Sequence, residues 1–257
     1  MASDFSSIGF EGVTFDQIKA LAETAIERGR AVEVPSGTYV VWPEPGEQLW
    51  VHVRRGVIAG LEPHFAGPAR LRAAIVGSRR DPEHVMEGSI SVWVDPQDDD
   101  PESGAYPFDA DVPDFDVSAG RLQPPVVAEL QVAAFARHLE CWQNESEYEA
   151  GQRERWGTGF GRGFAPQSFV PGSVLGAATG SGSSTSQAEA FFTGVVLAAD
   201  HRVNRHTGRR FWHVHTRSLA GEYDVVADPE VVEGEPRVGG VVQGTFWLSA
   251  RLTIIPA

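Results

Sequence analysis

Phe211-Trp212-His213-Val214-His215, running on to Leu219-Ala220-Gly221, is the stretch whose reading decides the fold. Aromatic and β-branched residues in so short a run read as a strand. Trp50-Val51-His52-Val53, running on to Ile58-Ala59-Gly60, matches it without a gap, aligning His52 with His213 and Gly60 with Gly221. Both copies lead to a Gly-Ser/Thr-apolar strand, Gly88-Ser89-Ile90 through Trp93 and Gly244-Thr245-Phe246-Trp247. Alternation parity is kept, so the same face would be buried in both. The expected class is therefore α+β, mainly β, with two antiparallel β-units, each a small barrel or OB-like, joined by helices. Internal duplication is the corresponding expectation.

Around the second copy, Phe191–Ala199, Arg210–Thr216, Glu222–Ala227, Val238–Gly244 and Phe246–Ile254 read as about five strands, with Asn204–Gly208 as a hairpin turn. Around the first, Thr38–Trp42, Leu49–Arg54 and Ile90–Val94 read as strands, and Leu49, Val51 and Val53 give the middle one a half-buried pattern. Thr14-Phe15-Asp16-Gln17 has capping-box spacing, and Ile18, Leu21, Ala22 and Ala25 continue it as a helix closed by a left-handed Gly29. Pro124-Pro125 opens a second predicted helix, with Val127, Leu130, Ala134, Phe135, Leu139 and Trp142 as its stripe towards Tyr148. Asp95–Asp116 combines proline with nine carboxylates and reads as an exposed acidic loop, and Gly176–Gln187 as a mobile Gly/Ser linker. The expected division is 1–116 (helix, first β-unit, acidic loop), 117–187 (connecting helix and linker) and 188–257 (second β-unit).

The chain of 257 residues is 42% hydrophobic and 22% charged, the balance of an ordinary globular protein. No apolar run is long enough to span a bilayer, and the N-terminus lacks the pattern of a secretory signal. With one cysteine, Cys141, there is no internal disulfide and no multi-cysteine zinc site. The cytoplasm is the expected location. A net charge of −14 weighs against nucleic acid and anionic membrane as partners. Against that background Asp200–Arg217 is basic, with Arg202, Arg205, Arg209, Arg210 and Arg217 facing Asp200 alone. Guanidiniums on adjacent strands form a bidentate-capable surface for an acidic protein or small anion. The plain alternatives are a solvated face, or an internal partner for the acidic loop.

His213-Val214-His215 places two imidazoles on one strand face, about 7 Å apart at Cα, a workable metal spacing. Glu222, His201 or His206 could add a ligand, although the full cupin pattern fails because no histidine follows His215. Gly157–Gly163 lacks the ending of a phosphate loop. Asp109, Asp111, Asp114 and Asp116 resemble calcium-loop carboxylates without the required glycine and glutamate positions. Cys141 beside Trp142 reads as a small hydrophobe. No nucleophile elbow, metalloprotease helix or dinucleotide fingerprint is present.

Thr193-Gly194-Val195-Val196, and Gly239-Gly240-Val241-Val242 leading into Phe246-Trp247-Leu248, resemble a five-stranded OB-type barrel over the C-terminal third. Gly46-Glu47-Gln48-Leu49-Trp50, Pro63-His64-Phe65 and Val225-Val226-Ala227-Asp228-Pro229 are similar to patterns in bacterial proteins of unknown function. Neither resemblance carries a catalytic motif. The leading expectation is a non-catalytic interaction protein that presents the arginine-rich hairpin to an acidic ligand, with no cofactor. The alternatives are a metal-assisted enzyme built on His213 and His215, an acidic decoy or immunity-type protein, and an OB-like nucleic-acid binder. Oligomeric state is not legible.

Overall fold

The computed structural model describes residues 3–11, 14–43, 46–97, 100–156, 163–174 and 188–254. The predicted first helix is α1 (Phe15–Arg28), and its capping box is complete: Thr14 accepts from the Gln17 amide while the Gln17 side chain accepts from Thr14 N. Gly29 closes it in an extended conformation, φ −83°, and not a left-handed one. Glycine is needed for a different reason. A Cβ there would lie 2.5 Å from the Ala25 carbonyl and 2.6 Å from Val40 Cγ1.

An antiparallel meander follows: β1 (Arg30–Val34), β2 (Gly37–Trp42), β3 (Glu47–Arg54) and β4 (Val57–Phe65). Val40, Trp42, Leu49 and Val51 pack in one cluster with Ala22 and Ala25 of α1, whereas Tyr39, Val41 and Trp50 pack with Met86 in another. Both faces are thus covered. The half-buried pattern read for β3 gives way to a strand whose Trp50 and His52 are as buried as Leu49 and Val51.

The larger sheet is mixed. It contains β5 (Leu71–Arg80), β6 (Gly88–Val94), β7 (Pro107–Asp111), β8 (Val126–Trp142), β9 (Ser168–Pro171), β10 (Glu189–Val203), β11 (Arg210–Ser218), β12 (Gly221–Ala227), β13 (Val232–Glu233) and β14 (Val241–Ile254). Its spine is a long antiparallel ribbon of β8 and β14. The free edge of β8 takes β5 near its start and β12 further on. The free edge of β14 takes β10 first and then β7 at Ser249. Two five-stranded rings result, β5-β6-β7-β14-β8 and β10-β11-β12-β8-β14. A ring with an odd number of strands cannot be antiparallel throughout, and each contains one parallel junction, β7 with β14 and β12 with β8.

The connectivity repeats as three meander strands and one long strand. Each long strand starts beside its own meander and continues into the other ring. That repeat does not coincide with the sequence match: Trp50–Val53 lies in β3 of the small sheet and Phe211–His215 in β11 of the large one. Their turns fall out of register as well, at Arg55-Gly56 and at Leu219-Ala220. The first ring draws strands from all three stretches 1–116, 117–187 and 188–257. Both rings share one interior, in which Leu130, Phe192, Val214 and Phe246 pack with Val92 and Phe108. Tyr106 and Tyr223 hydroxyls meet at 2.6 Å inside it.

The predicted helix from Pro124 to Tyr148 is the strand β8, and helix α2 is confined to Glu145–Trp156. β8 lies between two cores, with Leu130, Val132 and Ala134 in the barrel interior and Ala133 and Phe135 in the cluster with α1. A strand buried on both faces loses its period of two, and its apolar run imitates a helical stripe. The second half of the predicted acidic loop is internal, while Asp95, Gln97, Asp100 and Glu102 are exposed. Phe108, Ala110, Val112 and Phe115 are core residues, and Asp114 and Asp116 are themselves buried. The 157–162 part of the glycine run and the Gly176–Gln187 linker lie outside the described residues. Among the described residues, no helix is long and apolar enough to cross a membrane.

Candidate functional site

The five arginines do not form one patch. Arg202 lies 5.3 Å over the Phe65 ring and 3.9 Å from Glu47, and Arg209 pairs with Glu11 at 2.9 Å. Arg205, Arg210 and Arg217 are exposed. Arg210 and Arg217 stand at opposite ends of β11 with opposite parity, hence on opposite faces. Among the described residues, the carboxylates of the acidic segment make their ion pairs and side-chain hydrogen bonds elsewhere. Asp109 accepts from Ser91, Asp111 from Trp247 and Asp114 from Arg251, and Asp116 pairs with Arg80.

His213 and His215 each meet a carboxylate of their own, Asp224 and Glu222, both at 2.8 Å. His201 stacks on Trp212, and His206 packs at a tilt against Trp42, with centroids 4.7 and 4.4 Å apart. The Asp224 end of this arrangement continues into a closed buried network. Asp224 accepts from Ala69 N and Gln131 Nε2, and Gln131 Nε2 also donates to Phe65 O. That orientation turns Gln131 Oε1 to His64 Nε2 at 2.8 Å, and His64 Nδ1 meets Ser249 Oγ at 2.9 Å. Burial and the charge of Arg251 hold His64 neutral, with its pKa lowered to about 3. Cys141 is equally unsuited to nucleophilic work, because burial pushes its thiol up to about 12.

A second polar constellation lies on the face of β3 and β4 that carries Trp50. Cross-strand register sets Trp50 opposite Glu62 and His52 opposite Gly60, so these residues share one side of the sheet. The loop after β5 closes over them. Asp81 Oδ1 accepts from the amides of Glu83 and His84, and Glu87 N donates to His84 O, which brings Glu87 back beside His52.

His52 is fully buried, and its Nε2 lies 3.1 Å from the Pro113 carbonyl. A carbonyl only accepts, so Nε2 carries the hydrogen and Nδ1 of the neutral ring presents a lone pair. Nδ1 has no hydrogen-bond partner, and Glu87 Oε1 stands 3.6 Å away, beyond hydrogen-bonding range. Glu62 Oε2 is likewise shielded from solvent and unpartnered. Ligand atoms of His52, Glu62 and Glu87 all lie within 4.8 Å of one another.

Glu62 and Glu87 also line a cavity of about 360 Å³ with Arg79, Asp81, Ser89 and Asp111. Burial raises the Glu62 carboxyl to about 8, His52 opposing and Glu87 and the nearby aspartates reinforcing the shift. Burial likewise lifts Asp111 to about 6 although Trp247 donates to it at 2.7 Å. For His52, burial disfavours the imidazolium, but Glu87 and Glu62 outweigh it and the pKa is raised. Burial is the main cause at Glu62 and Asp111, and neighbouring carboxylates push all three shifts in the same direction.

His138, Glu140 and Glu233 form another convergent group, but Arg155 already grips Glu140 through both guanidinium nitrogens, at 3.1 and 3.0 Å. Neither convergent group includes His213 or His215. Sequence reasoning met His52 only as the counterpart of His213. The available signal was Glu62, a carboxylate inside the apolar run Leu61-Glu62-Pro63-His64-Phe65. Comparison with protein-family models, curated proteins and solved structures returns no match, so the site is read from its own geometry.

Proposed function

We propose that the chain is a cation-binding protein whose ligand occupies the acidic cavity between β3–β4 and the start of β6. One observation carries this reading: buried acceptors without donors, Glu62 Oε2 and His52 Nδ1, converge there. Unpaired buried acceptors cost about 1–3 kcal/mol each, and one cation bound between them would remove that cost at both atoms while offsetting the negative charge around them. The cavity lining supports it, with Glu62, Asp81, Glu87 and Asp111 against Arg79. Calorimetric titration of wild type and Glu62→Gln with Mg²⁺, Ca²⁺, Zn²⁺ and spermidine tests the proposal. Saturable binding of at least one probe, weakened by Glu62→Gln, is expected; heats indistinguishable from dilution for all four would refute it.

A second reading belongs to the β10–β11 hairpin. Arg205 and Arg210 are exposed at its tip, and the acidic segment is engaged elsewhere. The reading is an anionic partner, either an acidic protein or a small ligand, bound at that tip. Retention on heparin that is unchanged by Arg205→Ala with Arg210→Ala would dismiss it.

A further inference from the structure

Resting on the cation reading, we infer that the bound cation is a divalent first-row transition ion, Zn²⁺ foremost, coordinated directly by His52 Nδ1, Glu62 and Glu87. Four features converge on direct coordination.

The first is the tautomer. The Pro113 carbonyl fixes the hydrogen on Nε2 and leaves the Nδ1 lone pair aimed at two carboxylates. A metal-ligating histidine typically donates its other ring nitrogen to a carbonyl or carboxylate in this way. Tyr39 meets the ring edge-on at 4.9 Å and fixes its plane.

The second is spacing. Donors about 2.0–2.2 Å from a tetrahedral ion stand roughly 3.3–3.6 Å apart. The 3.6 Å between Nδ1 and Glu87 Oε1 is too long for a hydrogen bond and fits two ligands of one ion. Glu62 Oε2 is the unpartnered atom that completes the set.

The third is Gly60. A Cβ at this position would lie 2.4 Å from Glu87 Oε1 and 2.9 Å from His52 Nδ1, so its absence lets the two ligands approach each other. The fourth is donor chemistry. Imidazole nitrogen suits zinc and its neighbours, whereas Ca²⁺ and Mg²⁺ take oxygen ligands. Three protein ligands leave the fourth position open, and Glu62 and Glu87 also line the cavity.

The test uses the untagged, chelator-stripped chain in equilibrium dialysis against Zn²⁺ and, separately, Ca²⁺ and spermidine. Co²⁺ visible absorption serves as the report on a nitrogen ligand. The expected result is one Zn²⁺ per chain, with Gly60→Ala and Glu87→Gln each weakening it roughly ten-fold or more, while His138→Gln changes nothing. Gly60→Ala removes no ligand but crowds both Glu87 Oε1 and His52 Nδ1; should it fail to fold, Glu87→Gln decides alone. Stoichiometric Zn²⁺ that is unaffected by the Glu87 variant overturns the assignment. Binding of Ca²⁺ or spermidine without Zn²⁺ overturns the transition-ion inference and leaves the cation reading standing. Binding of none of the three overturns the transition-ion inference, and the cation reading falls with it when Mg²⁺ gives no heat of binding either.

Discussion

His52 and His64 lie on the same face of the same small sheet, both fully buried, and they differ at one atom. In each, Nε2 donates to an oxygen that can only accept: the Pro113 carbonyl for His52, the Gln131 amide oxygen for His64. At Nδ1 they part. Ser249 Oγ stands 2.9 Å from His64 and can donate, whereas His52 Nδ1 has no hydrogen-bond partner and faces the carboxyl groups of Glu87 and Glu62. The first arrangement is closed and neutral. The second is complete only with a proton or a cation. A buried histidine is therefore read from what faces its second nitrogen, not from burial or from a spacing to another histidine.

The largest expected effect comes from breaking the closed side. Asp224→Ala strips His213, Gln131 and Ala69 N of a shared acceptor and should cost about 3–5 kcal/mol in urea unfolding without touching Zn²⁺ affinity. Next, Glu87→Gln makes His52 resemble His64 by offering an amide donor to Nδ1. Metal affinity should fall while the metal-free chain gains on the order of 1 kcal/mol. A large loss of metal-free stability would mean that Glu87 is a structural partner of His52.

The pH response sharpens the contrast. His64 has a folded pKa near 3, below its ordinary 6.5, so in that window the unfolded chain binds the extra proton. Stability from this group is fully present above about pH 6.5 and is lost as pH falls towards 3, by up to roughly 1.4 kcal/mol per unit. Glu62 is the reverse case. Its folded pKa of about 8 exceeds the ordinary 4.5, so the metal-free chain weakens as pH rises between those values. Thermal melts of wild type, His64→Gln and Glu62→Gln across pH 4–9 should show each slope vanish in its own variant. The smallest effect is at the other convergent group, where Arg155→Gln should cost under about 1 kcal/mol and leave Zn²⁺ stoichiometry unchanged.

The capping box of α1, the Asn204 hairpin turn and the β11–β12 strands were legible because each is encoded within a few adjacent residues. β8 was not, since a strand packed on both faces carries no alternation. β7 and the residue after it had their signal in Phe108, Ala110 and Val112, masked by the carboxylates between them. The His52 site joins β3, β4 and the loop after β5, and no local spacing announces such a meeting. His213 and His215 have the spacing of a metal pair, yet Asp224 and Glu222 on the neighbouring strand each take one of them.

The central claim is that His52 Nδ1 is a buried acceptor reserved for a cation. ¹⁵N imidazole spectroscopy during Zn²⁺ titration tests it most directly, with His64 as internal control. The predicted result is a displaced Nδ1 resonance for His52, a retained proton on its Nε2 and no change at His64. A His52 Nδ1 that ignores stoichiometric zinc, or a proton found on Nδ1 instead of Nε2 in the neutral ring, would contradict the account.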